Sequence, residues 1–177
     1  MARYVALLRG INLGANRRVP MAELRTLLEE LGYEDVRTLL QSGNVGVTSP
    51  KSGNAVREEL EAAIADRFGV ETDVVVRTRK ELEALVEANP LGDVADDPKR
   101  LQVWFLSGKP KAAAVRALEA ADVAPEVVAV AGKEIHVWHA GGIQRSPASK
   151  VLDRVELGVI GTARNWNTVE KLLDLAT

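Results

Sequence analysis

The chain has 177 residues, 46% hydrophobic and 27% charged, with a formal net charge of −2. That composition is ordinary for a folded protein and implies neither disorder nor a fibrous repeat, and the near-neutral balance gives no support to whole-molecule attraction to nucleic acid. There is no cysteine, so disulfides, thiolate nucleophiles and cysteine metal sites are excluded, and no apolar run nears the roughly 20 residues of a membrane-spanning helix.

The first element is a strand over Tyr4 to Arg9, short and apolar, followed by Gly10. Arg9 cuts that stretch too short for a signal peptide, and a cytoplasmic location is the default expectation. Arg3, Arg9, Arg17 and Arg18 all precede the first acidic residue, Glu23, so a basic patch is expected near the amino end. Pro20 opens a helix at a position where its missing N–H costs nothing. Met21, Leu24, Leu27, Leu28 and Leu31 recur at helical spacing, and Gly32 stops the run. Strands follow over Val36 to Leu40 and Val45 to Thr48, joined by the turn residues Ser42-Gly43-Asn44. Val56, Leu60 and Ile64 mark a helix from about Ala55 to Phe68, and Thr72 to Arg77 is a fourth strand. Thr78 and Glu81 form a capping box for a linking helix, because hydroxyl and carboxylate each satisfy a free amide. Residues 89 to 100, with Pro90, Gly92, Asp93, Asp96, Asp97 and Pro98, read as a linker.

The second half repeats the order. Leu101 to Leu106 is a strand, and Pro110 opens an alanine-rich helix. Glu126 to Ala131 and Glu134 to His139 flank a Gly132-Lys133 hairpin turn. Ser146-Pro147 caps a helix expected to run to Gly158. A short strand at Thr162 to Asn165 follows, and Asn167 with Glu170 is expected to cap a final helix. The predicted fold is therefore α+β: two ferredoxin-like (α/β-plait, βαββαβ) domains, 1–78 and 101–177. Residues 79–100 form a linking helix and acidic linker, and a C-terminal helix ends the chain. The repeat is one of topology and not of sequence.

With right-handed crossovers, the first strand of such a unit lies antiparallel beside the third. The loop after strand one and the turn between strands two and three then meet at one end of the sheet. This brings Arg9, Gly10 and Asn12 to Gln41, Ser42, Gly43 and Asn44. Glycines let a ligand approach backbone N–H groups and arginine pairs with oxyanions, so these residues are candidate ligands for a small anionic or nucleotide-like molecule. The same residue types also tie turns together without any ligand. Arg164, Asn165 and Asn167 form a second polar group near the carboxyl end and are candidates for the same site.

Other chemistries are less well supported. Gly10 to Gly14 lacks the spacing of a P-loop or a dinucleotide fingerprint. His136 and His139 sit three apart on a predicted strand and face opposite sides, and no third ligand accompanies them, so no metal or other cofactor is expected. No Gly-x-Ser-x-Gly elbow is present and no histidine accompanies the amino-terminal cluster, so the sequence assigns no catalytic residue and leaves open whether the protein is an enzyme. Trp104, His136 and Trp138 share a parity and are expected on one sheet face, which keeps RNA binding as a minor alternative. An interaction module without a small ligand is another. Oligomeric state is not written in the sequence.

Tyr4-Val5-Ala6-Leu7-Leu8-Arg9-Gly10-Ile11-Asn12-Leu13-Gly14, Val19-Pro20-Met21-Ala22-Glu23-Leu24, Gln41-Ser42-Gly43-Asn44-Val45 and Arg164-Asn165-Trp166-Asn167-Thr168-Val169 occur in that order. This set resembles the DUF1697 family of uncharacterised bacterial proteins over essentially the whole chain. The resemblance implies a pair of α/β-plait domains and no particular activity. Two positions depart from the pattern: Ala15 stands where a glycine is expected, and Gly46 where a larger apolar residue is expected.

Overall fold

The computed structural model describes residues 1–177, which form two compact units, 1–85 with 171–177, and 86–170. Each contains a four-stranded antiparallel sheet with helices, so the predicted pair of ferredoxin-like α+β domains is what the chain forms.

In the first unit, β1 (Ala2–Leu8), β2 (Glu34–Leu39), β3 (Asn44–Ser49) and β4 (Val74–Thr78) are ordered β2-β3-β1-β4. Helices α1 (Met21–Glu30) and α2 (Gly53–Phe68) connect them. Alternation in β1 decides what each face carries. Tyr4, Ala6 and Leu8 join Val45, Val47 and Val74 in a core with Leu24 and Leu28 of α1 and Val56, Leu60 and Ile64 of α2. Val5 and Leu7 point to the opposite face, in register with Gly46 and Asn44. The α2 helix starts two residues before its predicted onset because the Ser52 hydroxyl accepts the Ala55 N–H at 3.2 Å. Strand β4 is followed directly by α3 (Arg79–Ala88), which opens on the predicted capping box. Glu81 N–H donates to Thr78 Oγ1 at 3.2 Å, and Thr78 N–H donates to Glu81 Oε2 at 2.8 Å.

The carboxyl-terminal residues 171–177 pack with this first unit. Arg3 Nε and Nη2 donate to the Leu175 carbonyl at 3.2 and 2.9 Å, and Arg37 Nη2 donates to the Thr177 carbonyl at 2.6 Å. Gly46 is the reason the segment fits. A Cβ there would stand 2.7 Å from Leu175 O and 2.6 Å from Arg3 Nη2. The missing apolar side chain noted in the sequence is therefore space filled by Leu175.

In the second unit, β5 (Leu101–Leu106), β6 (Val127–Ala131), β7 (Glu134–Trp138) and β8 (Gly161–Asn165) are ordered β6-β7-β5-β8. Helices α4 (Ala112–Ala120) and α5 (Pro147–Arg154) close a core of Leu106, Leu118, Val123, Ile135, Val137, Ala148 and Leu152. Helix α6 (Trp166–Leu175) ends the chain. Three expectations are corrected. Helix α5 stops at Arg154, where Val155 turns extended (φ −81°, ψ 127°), four residues before Gly158. Helix α6 is capped by Asn165, whose Oδ1 accepts the Thr168 N–H at 3.0 Å. Asn167 is already inside the helix, and Glu170 binds the Trp166 indole N–H at 3.1 Å instead of closing a box.

The third correction concerns the aromatic face. β5 and β7 pair with Leu101 opposite Trp138, Val103 opposite His136 and Trp104 opposite Ile135. Directly opposed residues share a face, so Trp104 lies on the core side with Ile135, while His136 and Trp138 lie on the other. Equal number parity does not mean a shared face when the paired positions sum to an odd number. Trp138 and His136 are also buried, so no aromatic platform for RNA forms.

Candidate functional site

The strand order puts the β1–α1 loop against the β2–β3 turn. Because β1 runs antiparallel to β3, the end of one meets the start of the other, and Leu8 N–H donates to Gly43 O at 2.9 Å. The approach is tight: at Gly43 (φ +88°) a Cβ would stand 2.7 Å from Ile11 Cδ1 and 2.9 Å from Leu8 Cβ. Only glycine meets both the backbone angle and the space.

Asn12 joins the two segments. It sits in the left-handed region (φ +54°), which asparagine tolerates better than most residues. Its Nδ2 donates to Val19 O at 2.9 Å and Gln41 O at 2.8 Å, and its Oδ1 accepts the Val19 N–H at 2.8 Å. Asn44 does similar work within the turn. It is fully buried, and its Nδ2 donates to Leu39 O at 2.7 Å and Ser42 Oγ at 3.1 Å. These two amides hold backbone in place.

The groups turned outward are different. Arg9 is about half exposed, with Nη1 3.4 Å from Asp73 Oδ2. Arg17 donates from Nε to Gly10 O and from Nη2 to Glu71 O, both at 2.7 Å, which holds its guanidinium along the loop. Arg18, Gln41 and Ser42 are exposed. Two large apolar side chains are also exposed on these segments, Leu13 at 72% and Leu40 at 49%. Leu40 has φ +59°, an uncommon conformation for a bulky residue. Of the four arginines expected to form a basic patch, Arg9, Arg17 and Arg18 are exposed on or beside this loop, with Asp73 in contact with Arg9, whereas the Arg3 guanidinium is taken up by Leu175 O, Asp35 O and Thr48 Oγ1.

Arg164, Asn165 and Asn167 belong to the second unit. Arg164 lies on β8 opposite Val103, and its buried guanidinium donates from Nη1 to Thr162 Oγ1 at 2.8 Å and Ala163 O at 2.9 Å. Burial lowers its pKa to about 10, which leaves it charged at neutral pH. Asn165 is the α6 cap described above, and Asn167 is half-buried in the first turn of that helix.

One cluster was missed by the sequence reading. Glu126, His139 and Ser146 are buried together in the second unit. Ser146 Oγ donates to Glu126 Oε1 at 2.7 Å and lies 2.8 Å from His139 Nδ1, while His139 Nε2 lies 2.9 Å from Gln102 Oε1. Only Ser146 had a visible signal, as a helix cap before Pro147, and it does cap α5 through the Ser149 N–H. His139 lies just past the end of β7, not within it. No three His, Asp or Glu side chains gather as a metal-ligand set, and no helix is long and apolar enough to cross a membrane.

Comparisons with other proteins name no activity, and a solved structure among them shares the fold. The family model DUF1697, described as a protein of unknown function, matches residues 1–136. The solved structure of the conserved bacterial protein SP0830 from Streptococcus pneumoniae is similar, with 28% identity, 99% of each chain covered and a TM-score of 0.82. None of the curated proteins matches the chain.

Proposed function

The chain belongs to the DUF1697 family, whose function is unknown, and within that family we propose that it is a cytoplasmic binding protein for a small anionic, phosphate-bearing ligand at the loop end of the first sheet. The observation that carries this reading is the pairing of a fixed loop with exposed cations. Asn12 ties the β1–α1 loop to the β2–β3 turn by its side-chain bonds, and Arg9, Arg17 and Arg18 stay exposed around it. A preorganised loop binds more tightly because less freedom is lost on association, and guanidinium groups suit phosphate oxygens. In this reading Arg9, Arg17 and Arg18 supply charge. Gly10 lets the ligand approach the backbone, Gly43 lets the turn pack closely on Ile11 and Leu8, and Gln41 and Ser42 offer directional contacts. Asn12 and Asn44 shape the site without touching the ligand. Arg164, Asn165 and Asn167 are given no ligand contact.

A thermal-shift screen with inorganic phosphate, nucleoside phosphates and sugar phosphates tests the reading, run on the wild type and on an Arg9→Ala/Arg18→Ala variant. A ligand at about 100 times its Kd stabilises the folded protein by about 2.7 kcal/mol, enough for a rise of several degrees. The rise should shrink with added salt and vanish in the variant. If no phosphate compound raises the melting temperature of the wild type, the reading is wrong.

A further inference from the structure

Three short contacts run through His139 in the second unit. Nε2 is 2.9 Å from Gln102 Oε1, Nδ1 is 2.8 Å from Ser146 Oγ, and Ser146 Oγ is 2.7 Å from Glu126 Oε1. Each needs one hydrogen. Gln102 cannot supply the first, because the Trp104 indole N–H, a donor only, points at the same Oε1 at 3.1 Å and marks it as the carbonyl oxygen. The imidazole must therefore donate from Nε2. Ser146 has one hydroxyl hydrogen, and its oxygen already receives the Ser149 N–H at 3.1 Å. Glu126 Oε1 receives the Ala148 N–H at 2.9 Å. A neutral imidazole and the serine hydroxyl together bring two hydrogens to three contacts. With an ionised Glu126, two lone-pair atoms would face each other at hydrogen-bond distance, with His139 fully buried and Ser146 and Glu126 nearly so.

We infer that the Glu126–Ser146–His139 chain holds one additional proton in the folded protein, shared between the carboxylate and the imidazole through the serine hydroxyl. The proton sits on Nδ1, with Ser146 donating to Glu126, or on Glu126, with Ser146 donating to Nδ1. Passing it along the chain moves the hydroxyl hydrogen in the same direction and leaves every contact filled. Burial is the largest influence on the His139 ring and lowers its proton affinity, with Glu126 only partly offsetting it; the extra proton is required by the contacts, and it belongs to the coupled pair and not to one ring. The neighbouring elements bring few other charges to it. β5 contributes the neutral Gln102 and Trp104. Arg100, whose carbonyl accepts the His139 N–H at 2.9 Å, keeps its guanidinium on Ala140 O at 2.8 Å and 3.5 Å from Asp97. Arg145 and Lys150, beside Ser146 in sequence, are exposed. Because Ser146 is also the cap of α5, losing the proton loosens the start of that helix.

The sign of the pH effect follows. In the unfolded chain both groups have lost their protons above about pH 6.5, whereas the folded chain keeps one. Stability is then fully present below that pH and falls as pH rises. Urea unfolding of the full chain between pH 6 and 9 should show the unfolding constant rising about tenfold per pH unit above pH 6.5, until the proton leaves. In Glu126→Gln the oxygen that receives the Ala148 N–H is kept but the side chain can no longer ionise or take up a proton, so the added pH dependence should disappear. A flat wild-type profile, or an equal slope in Glu126→Gln, overturns the inference. Nuclear magnetic resonance of the wild type reads the proton directly, since His136 and His139 are the only histidines. Nitrogen-15 shifts of a doubly protonated His139 at pH 7, or a neutral ring beside a Glu126 carboxyl carbon with the shift of the acid, support it. A neutral ring beside an ionised Glu126 overturns it, whether or not the variant folds.

Discussion

Replacing Gly46 with alanine should destabilise the first unit by about 3 kcal/mol, opposite in sign to the usual effect of that change. The Gly46 φ lies outside the left-handed region, so alanine brings no backbone strain. In open surroundings the substitution stabilises by about 0.4–1 kcal/mol through the unfolded chain. Here the new Cβ would stand 2.6 Å from Arg3 Nη2, 2.7 Å from Leu175 O and 3.0 Å from Leu175 Cγ. Arg3 is not a free end that swings aside. It also donates from Nη1 to Asp35 O at 2.7 Å and to Thr48 Oγ1 at 3.2 Å. Overpacking costs about 1–3 kcal/mol. A weakened bond from the charged guanidinium to Leu175 O adds about 1.5 kcal/mol, the low end of its range because Arg3 is partly exposed. Subtracting the backbone gain leaves about 3 kcal/mol. Urea unfolding of the wild type, Gly46→Ala, Arg3→Ala and the double variant measures it. Removing Arg3 lets the carboxyl-terminal turn shift, so the double variant should lose about 1 kcal/mol less than the sum of the singles. A stabilised Gly46→Ala, or strictly additive losses, would refute the reasoning.

Two further outcomes follow from the geometry. Asn12→Ala should lower stability by about 1–3 kcal/mol because Val19 and Gln41 backbone groups lose their partner. Asn12→Gly, which accepts φ +54° without strain, should recover only part of that loss in thermal unfolding. His136 is buried with its pKa pushed down to about 4 by desolvation, so acid favours the unfolded chain as soon as its free imidazole protonates. Stability should fall by up to about 3 kcal/mol between pH 6.5 and pH 4, and His136→Leu should remove that part of the decline in urea titrations at the two pH values.

Much of the fold was readable because its signals are local. Apolar spacing marked α1 and α2, the Thr78–Glu81 pair marked the start of α3, and Gly132-Lys133 marked the β6–β7 turn. The meeting of the β1–α1 loop and the β2–β3 turn was also readable, because topology alone dictates it. What the residues do there was not. An asparagine that binds a ligand and one that ties two backbones look alike in sequence, and only the bonds from Asn12 to Val19 and Gln41 distinguish them. The Trp104 error came from register, which number parity does not contain. The Asn165 cap was mistaken for Asn167 because both residues suit the role and only two positions separate the alternatives. The Glu126–Ser146–His139 cluster was invisible because its members come from three segments, each with an ordinary local explanation.

The bond from Arg3 to Leu175 spans 172 positions of sequence. During synthesis, the strand that begins the chain leaves the ribosome long before the turn that completes its surroundings. The nascent amino-terminal sheet must wait, with Gly46 uncovered, while the whole of the second unit is translated. Closing a contact of such length is slow, and the interval is when a chaperone or a neighbouring chain has access to that face.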